Sequence, residues 1–172
     1  MRSRSLFLMS FVGGVLLLRG PAHRLSPVSA AECAVARVVD GDTFYCRSGS
    51  KVRLIGIDTP ERGQGDAGLR ARQALSLLLP LGRKIRLETD VRPTDRYRRL
   101  LAYVWSGDTL VNEEMVRRGW AVLLTIPPNV RYAERLQRAQ KEARAHGAGL
   151  WARGGFDCPP QAYRRRECVT PP

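Results

Sequence analysis

Apolar and polar positions first alternate with a period of two from residue 34 to residue 57, which predicts β-strands. Residues 34–40 (Ala-Val-Ala-Arg-Val-Val-Asp) read as a strand that ends in the turn signal Asp40-Gly41-Asp42. Thr43–Cys46 returns as a second strand, Ser48-Gly49-Ser50 turns again, and Val52–Ile57 is a third strand rich in branched residues. Asp58-Thr59-Pro60-Glu61 stops it, because proline cannot donate to a strand ladder. Gly63, Gly65 and Gly68 make 62–68 an exposed loop. From Leu69 to Leu79 the period changes to that of a helix, with Ala71, Ala74, Leu75 and Leu78 on one face. Lys84–Glu88 and Leu100–Trp105 are predicted as the fourth and fifth strands, joined by a basic loop over 90–99. Asn112 is expected to cap a helix that stops at Gly119. A last helix runs from Val130 to His146 on the stripe Tyr132, Leu136, Ala139 and Ala143. Strands first and helices after predict an α+β, mainly β chain: a five-stranded barrel of OB-fold type with three packed helices.

Two ends fall outside that pattern. Residues 1–30 have a basic start (Arg2, Arg4), an apolar stretch Leu6–Leu18 and the small residues Val28-Ser29-Ala30. That is the plan of a secretory signal cleaved near Ala30, with an uncleaved amphipathic anchor as the alternative because Arg19 and Arg24 lengthen the stretch before Ala30, and it predicts a periplasmic or secreted protein. The barrel domain is then expected over 31–152. A Pro/Arg-rich tail over 153–172 carries the run Arg164-Arg165-Arg166.

The signal changes how composition is read. The chain of 172 residues carries a net charge of +13, but four arginines and no acids lie in 1–30, so +9 remains. That excess favours a polyanionic partner. The 44% hydrophobic content argues against wholesale disorder. All four cysteines (Cys33, Cys46, Cys158, Cys168) lie beyond the signal, and an even count in an exported chain predicts two disulfides. Three connectivities are possible. The shortest loops, Cys33–Cys46 and Cys158–Cys168, have the lowest closure cost. His146 is the single histidine after residue 30, which argues against a His-dependent triad or a zinc hydrolase.

Candidate chemistry is concentrated in 40–61. Asp40, Asp42, Asp58 and Glu61 fall in a turn and at a strand end that a barrel can bring together. Converging carboxylates repel and need protons, arginine or a cation, and a hard cation such as Ca²⁺ takes carboxylate and carbonyl oxygens. Arg53 lies in the third strand, and Arg99 closes the loop Asp95-Arg96-Tyr97-Arg98-Arg99. Arg53 and Asp58 are five residues apart and point to opposite faces of a regular strand. They can share a site only if the strand bends, and Gly56 is the place for it.

The runs Val39-Asp40-Gly41-Asp42-Thr43, Arg53-Leu54-Ile55-Gly56-Ile57-Asp58-Thr59-Pro60-Glu61 and Thr94-Asp95-Arg96-Tyr97-Arg98-Arg99-Leu100-Leu101-Ala102-Tyr103 come in that order. Together with Leu110-Val111-Asn112-Glu113 and Gly119-Trp120-Ala121, they resemble the staphylococcal nuclease (thermonuclease-like) family over about 34–152. The resemblance implies an OB barrel that hydrolyses phosphodiester bonds of DNA or RNA with Ca²⁺, leaves 3′-phosphate ends and works as a monomer. It implies that Asp42 and Asp58 ligate calcium by carboxylates and Thr59 by its carbonyl. It makes Glu61 the general base, Arg53 and Arg99 the phosphate clamps, Tyr97 a phosphate neighbour and Asp40 a supporting acid. The alternative is a nucleic-acid-binding barrel of the cell envelope without catalysis. Three departures stand out. The loop 62–68 is shorter and less lysine-rich. Arg98 stands where the family usually has glycine. Residues 121–128 lack the tyrosines that pack on the substrate base, a place that Trp120 or Tyr132 could fill.

Overall fold

The computed structural model describes residues 30–153 and 156–168. Residues 1–29 of the expected export signal and the last tail residues lie outside them.

Five strands close the barrel: β1 (Ala30–Val38), β2 (Thr43–Cys46), β3 (Lys51–Leu54), β5 (Lys84–Glu88) and β6 (Leu100–Ser106). β1 pairs antiparallel with β2 on one side and β5 on the other, β2 with β3, and β5 with β6; β3 runs parallel to β6 and shuts the ring. β1 serves both neighbours because it bulges. Ala30–Ala34 face β5, the register slips between Val35 and Arg37, and Val38 faces Phe44 of β2. The strand begins at Ala30, ahead of the expected residue 34, since β5 offers a partner there. Three short strands were not legible in the pattern: β4 (Ile57–Asp58) with β8 (Val122–Leu123), and β7 (Thr109–Leu110) on β6. At two residues each they show no period.

Helices α1 (Gly65–Leu78), α2 (Val111–Arg117) and α3 (Ala133–Ala145) pack outside the barrel, as expected in number. A 3₁₀ turn (Gly149–Arg153) and a short fourth helix, α4 (Pro160–Arg164), follow. Val35, Phe44, Val52, Leu54, Ile57, Leu75, Val104, Met115 and Leu136 share one buried cluster. Strand alternation and helix stripes thus meet in this core, with a smaller cluster of Ile55, Tyr103 and Leu110 beside it. Both favoured disulfides are present: Cys33–Cys46 clips β1 to β2, and Cys158–Cys168 closes a loop around α4.

Two expectations are corrected. The segment 62–68 is not all loop, because α1 starts at Gly65, a turn earlier than Leu69. Glycine is a poor helix former, so local propensity hides this start. Gly68 is there for space: a Cβ on it would sit 2.1 Å from the Glu61 carbonyl oxygen. Asn112 is not a cap either. Leu110 holds the cap position of α2, and the fully buried Asn112 side chain turns into the barrel. Its Oδ1 accepts from the Val104 N–H (2.9 Å), and its Nδ2 donates to the Ile55 carbonyl (2.8 Å). Tertiary hydrogen bonding won over the local motif.

Candidate active site

The third strand does break at Gly56. Ile55 and Gly56 form a turn between β3 and β4, and Gly56 takes a left-handed φ of 78°. This offset answers the parity objection: Arg53 and Asp58 end on the same side, with Arg53 Nη2 3.2 Å from Asp58 Oδ1. Thr43 stands opposite Arg53 in the β2–β3 ladder, and that register brings the neighbouring Asp42 to the guanidinium. Arg53 Nε lies 3.1 Å from Asp42 Oδ1. One arginine therefore spans both carboxylates. Asp42 Oδ2 also accepts from the backbone N–H (3.2 Å) and hydroxyl (3.1 Å) of Thr59, and its Oδ1 from Thr43 Oγ1. Asp42, Asp58 and Thr59 are all buried.

A cleft of about 990 Å³ opens here, lined by Asp40, Asp42, Arg53, Asp58, Thr59, Glu61, Tyr97 and Arg99 among others. All eight residues singled out for the chemistry thus face one cavity. Glu61 is held from behind: its N–H donates to Gln64 Oε1 (2.8 Å), and α1 approaches its carbonyl across Gly68. Arg99 is oriented by Asp95, whose Oδ2 meets Arg99 Nε at 2.7 Å and whose Oδ1 takes the N–H groups of Tyr97 and Arg99, both at 2.9 Å. Tyr97 is exposed at the rim, with the Arg96 and Arg99 guanidiniums 4.7 and 5.6 Å from its ring centre.

Arg98, where the family usually has glycine, adopts φ 61°. The loop keeps the left-handed turn without the residue suited to it, at a cost on the order of 1 kcal/mol. Neither aromatic offered for base packing reaches the cleft. Tyr132 donates to Glu88 and stacks edge-on against Tyr103, and Trp120 packs on the core. Leu124, Ile126, Pro127 and Pro128 line that wall instead. It is apolar but not aromatic.

Two of the cleft carboxylates are perturbed by their surroundings. Burial, then the neighbouring Asp42 carboxylate, pushes the Asp40 pKa up to about 6. Burial raises that of Asp58 as well, against hydrogen bonds from Arg164 and the charge of Arg53. Of the carboxylates Asp40, Asp42, Asp58 and Glu61, the last three ion-pair with Arg53 or Arg164, while Lys51, Arg92, Arg96 and Arg99 line the same cleft. The donor set suits a hard dication. Among the described residues no three acidic, histidine or cysteine side chains converge closely enough to hold a metal by themselves. A cation here would take the Asp42 and Asp58 carboxylates, the Thr59 carbonyl and water.

Arg164 is the site residue that sequence reasoning missed. Its Nη2 lies 2.6 Å from Asp58 Oδ2 and its Nη1 2.5 Å from Glu61 Oε1. The one available signal was an arginine cluster inside a loop that Cys158 and Cys168 close.

For Asp95, burial pushes the pKa up, but the Arg99 N–H, the Arg99 guanidinium and the Tyr97 N–H outweigh it and hold the pKa below the ordinary carboxylate range. A depressed acid adds stability that is full above its unfolded pKa and is lost as pH falls through the folded one. Asp95→Asn should therefore lower Tm at neutral pH and flatten the loss of stability below about pH 4. It should also cut turnover, by as much as about 10²-fold, because Arg99 loses its orienting partner. Melting curves against pH, with steady-state rates, check both effects.

The fold is thus a small OB barrel whose cleft pairs buried carboxylates with fixed arginines. A family profile described as "Staphylococcal nuclease homologue" matches residues 51–153. The chain is 37% identical over 142 residues to the "Thermonuclease" of Staphylococcus intermedius, covering 78% of this chain and 84% of that protein. It is 36% identical over 136 residues to the "Thermonuclease" of Staphylococcus hyicus, covering 74% and 80%. To an "Uncharacterized endonuclease" of Haemophilus influenzae it is 35% identical over 144 residues, covering 80% and 75%. The chain belongs to the staphylococcal nuclease family.

Proposed function

We propose that this chain is an exported nuclease that hydrolyses phosphodiester bonds of DNA or RNA with Ca²⁺, acts as a monomer and leaves 3′-phosphate ends. The observation that carries the proposal is the bridging of buried Asp42 and Asp58 by Arg53, in the cleft that also holds Glu61 and Arg99. The names of the relatives, thermonuclease and endonuclease, support the reaction class. Two disulfides support export, since such bonds persist in oxidising compartments.

Bound at Asp42, Asp58 and the Thr59 carbonyl, Ca²⁺ supplies charge that opposes the negative charge developing on phosphate. The protein's own groups divide the remaining work. Glu61, in the cleft beside Asp58, accepts a proton from the attacking water. The new P–O bond forms as the bond to the 5′-oxygen breaks, and that oxygen takes up a proton. Arg53 and Arg99 donate to phosphate oxygens as charge builds there. Each is already oriented by an acid, Arg53 by Asp42 and Asp58 and Arg99 by Asp95, so little reorganisation is needed. Tyr97 borders the phosphate path at the rim, and Asp40 holds the Asp42 N–H (3.1 Å) without being a ligand itself. The apolar wall of Leu124, Ile126, Pro127 and Pro128 gives the base contact without ring stacking, which favours weaker binding of the base. The test is product chemistry: an oligonucleotide cleaved in CaCl₂ should carry 3′-phosphate and 5′-hydroxyl ends. 5′-Phosphate ends would overturn the proposed direction of attack.

A further inference from the structure

Arg164 sits where the cation would act, and it comes from outside the family match, which ends at residue 153. Its guanidinium takes both oxygens of Asp58, at 3.2 and 2.6 Å, and reaches Glu61 with the same terminal nitrogen that makes the longer contact. An Asp58 engaged in this way has Arg53 and Arg164 on Oδ1 and Arg164 on Oδ2. The Glu61 base is tied up as well. A divalent cation has to compete with Arg164 for these oxygens, and the two like charges repel each other there.

The tail is seated on the loop that carries Glu61, so the contact is built rather than incidental. Gln64 donates through Nε2 to the Cys158 carbonyl (2.9 Å) while its Oε1 takes the Glu61 N–H. Tyr163 lies against Gly63, where a Cβ would come within 2.4 Å of its hydroxyl. Pro160 is buried at the start of α4, and the Cys158–Cys168 disulfide closes the loop ten residues apart. Only Arg164 of the three-arginine run faces the carboxylates; Arg165 pairs with Glu167.

We propose that Arg164 is a resident counter-cation, a latch that holds Asp58 and Glu61 until a divalent cation displaces it, and that the Cys158–Cys168 loop keeps it within reach. The latch rests on the calcium reading. It sets the cation concentration at which the enzyme turns on, because apparent affinity is reduced by the fraction of molecules whose site is open. It also explains how Asp58 and Glu61 stay compensated beside Asp42 when no cation is present.

The experiment is isothermal titration of CaCl₂, without nucleic acid, into the oxidised protein and three variants: Arg164→Gln, the double variant Cys158→Ser/Cys168→Ser, and Arg165→Gln as a control for bulk charge. If the latch is closed nine-tenths of the time, Arg164→Gln should bind calcium about tenfold more tightly than the parent. The disulfide variant should move the same way by a smaller factor, and Arg165→Gln should differ little. In the parent protein, CaCl₂ should also speed amide exchange over 159–168. Affinity in Arg164→Gln equal to or weaker than the parent's, or matched by Arg165→Gln, overturns the latch and leaves the calcium reading standing. Absence of calcium binding in the parent and in Arg164→Gln alike overturns both.

Discussion

Glu61→Gln should lower turnover by about 10²–10⁴-fold while leaving substrate KM nearly unchanged. The substitution keeps the size of the side chain and its ability to accept from Arg164, so the latch contact and the fold survive it. What it removes is the group that takes the proton. The backbone support from Gln64 and the close packing over Gly68 are untouched, because they hold the Glu61 main chain rather than its carboxylate. A split between kcat and KM is therefore the signature of a proton acceptor. Steady-state kinetics on a defined oligonucleotide, with calcium titration alongside, reads it. Unchanged turnover would remove Glu61 from the chemistry.

Arg53→Ala should have a double effect. Losing a donor at the developing charge should cost about 10²–10³-fold in rate. The metal-free protein should also lose stability, because two buried acids lose the guanidinium between them. Breaking a buried pair costs about 3–5 kcal/mol, and the lower end applies here. Asp58 keeps Arg164, and Asp42 keeps the Thr59 N–H and the hydroxyls of Thr59 and Thr43. Calcium should return part of the lost stability, since it binds the folded state and meets the same acids. Denaturant unfolding with CaCl₂ and with chelator measures the difference. Equal stability of parent and variant without calcium would mean that Arg53 does not compensate the acids.

The parts of this protein that follow local rules were legible in the chain. β2 and β5 have their expected bounds, β2 because turns flank it on both sides and β5 because Ile85 and Leu87 alternate with charged neighbours. The bend at Gly56 was demanded by the parity of Arg53 and Asp58. What was not legible depends on contacts distant in sequence. The early start of α1 needs glycine at 68 to let the helix reach the Glu61 carbonyl, and on propensity alone those glycines read as loop. Asn112 has the chemistry of a helix cap, but a barrel backbone 57 residues away claims its side chain. Arg164 meets Asp58 across 106 residues, and no periodicity records such a contact. The tail read from composition only as Pro- and Arg-rich; Arg164, the first of its three consecutive arginines, points into the cleft that holds Asp58 and Glu61.

Net charge had a similar ambiguity. The excess of arginine favours a polyanion, yet the site is locally acidic, with Asp40, Asp42, Asp58 and Glu61 outnumbering the guanidiniums that touch them. A basic surface with an acidic centre makes sense if a cation completes the centre before phosphate arrives. The broad positive field then brings the nucleic acid in, and salt should weaken that step without altering the chemistry.

The most direct test is cleavage of plasmid DNA and single-stranded RNA by the oxidised protein, with CaCl₂ against a chelator. Cleavage should occur with calcium, stop with chelator and return when calcium is restored. Salt-sensitive binding of nucleic acid with no cleavage under either condition would contradict the account and leave a binding barrel in its place.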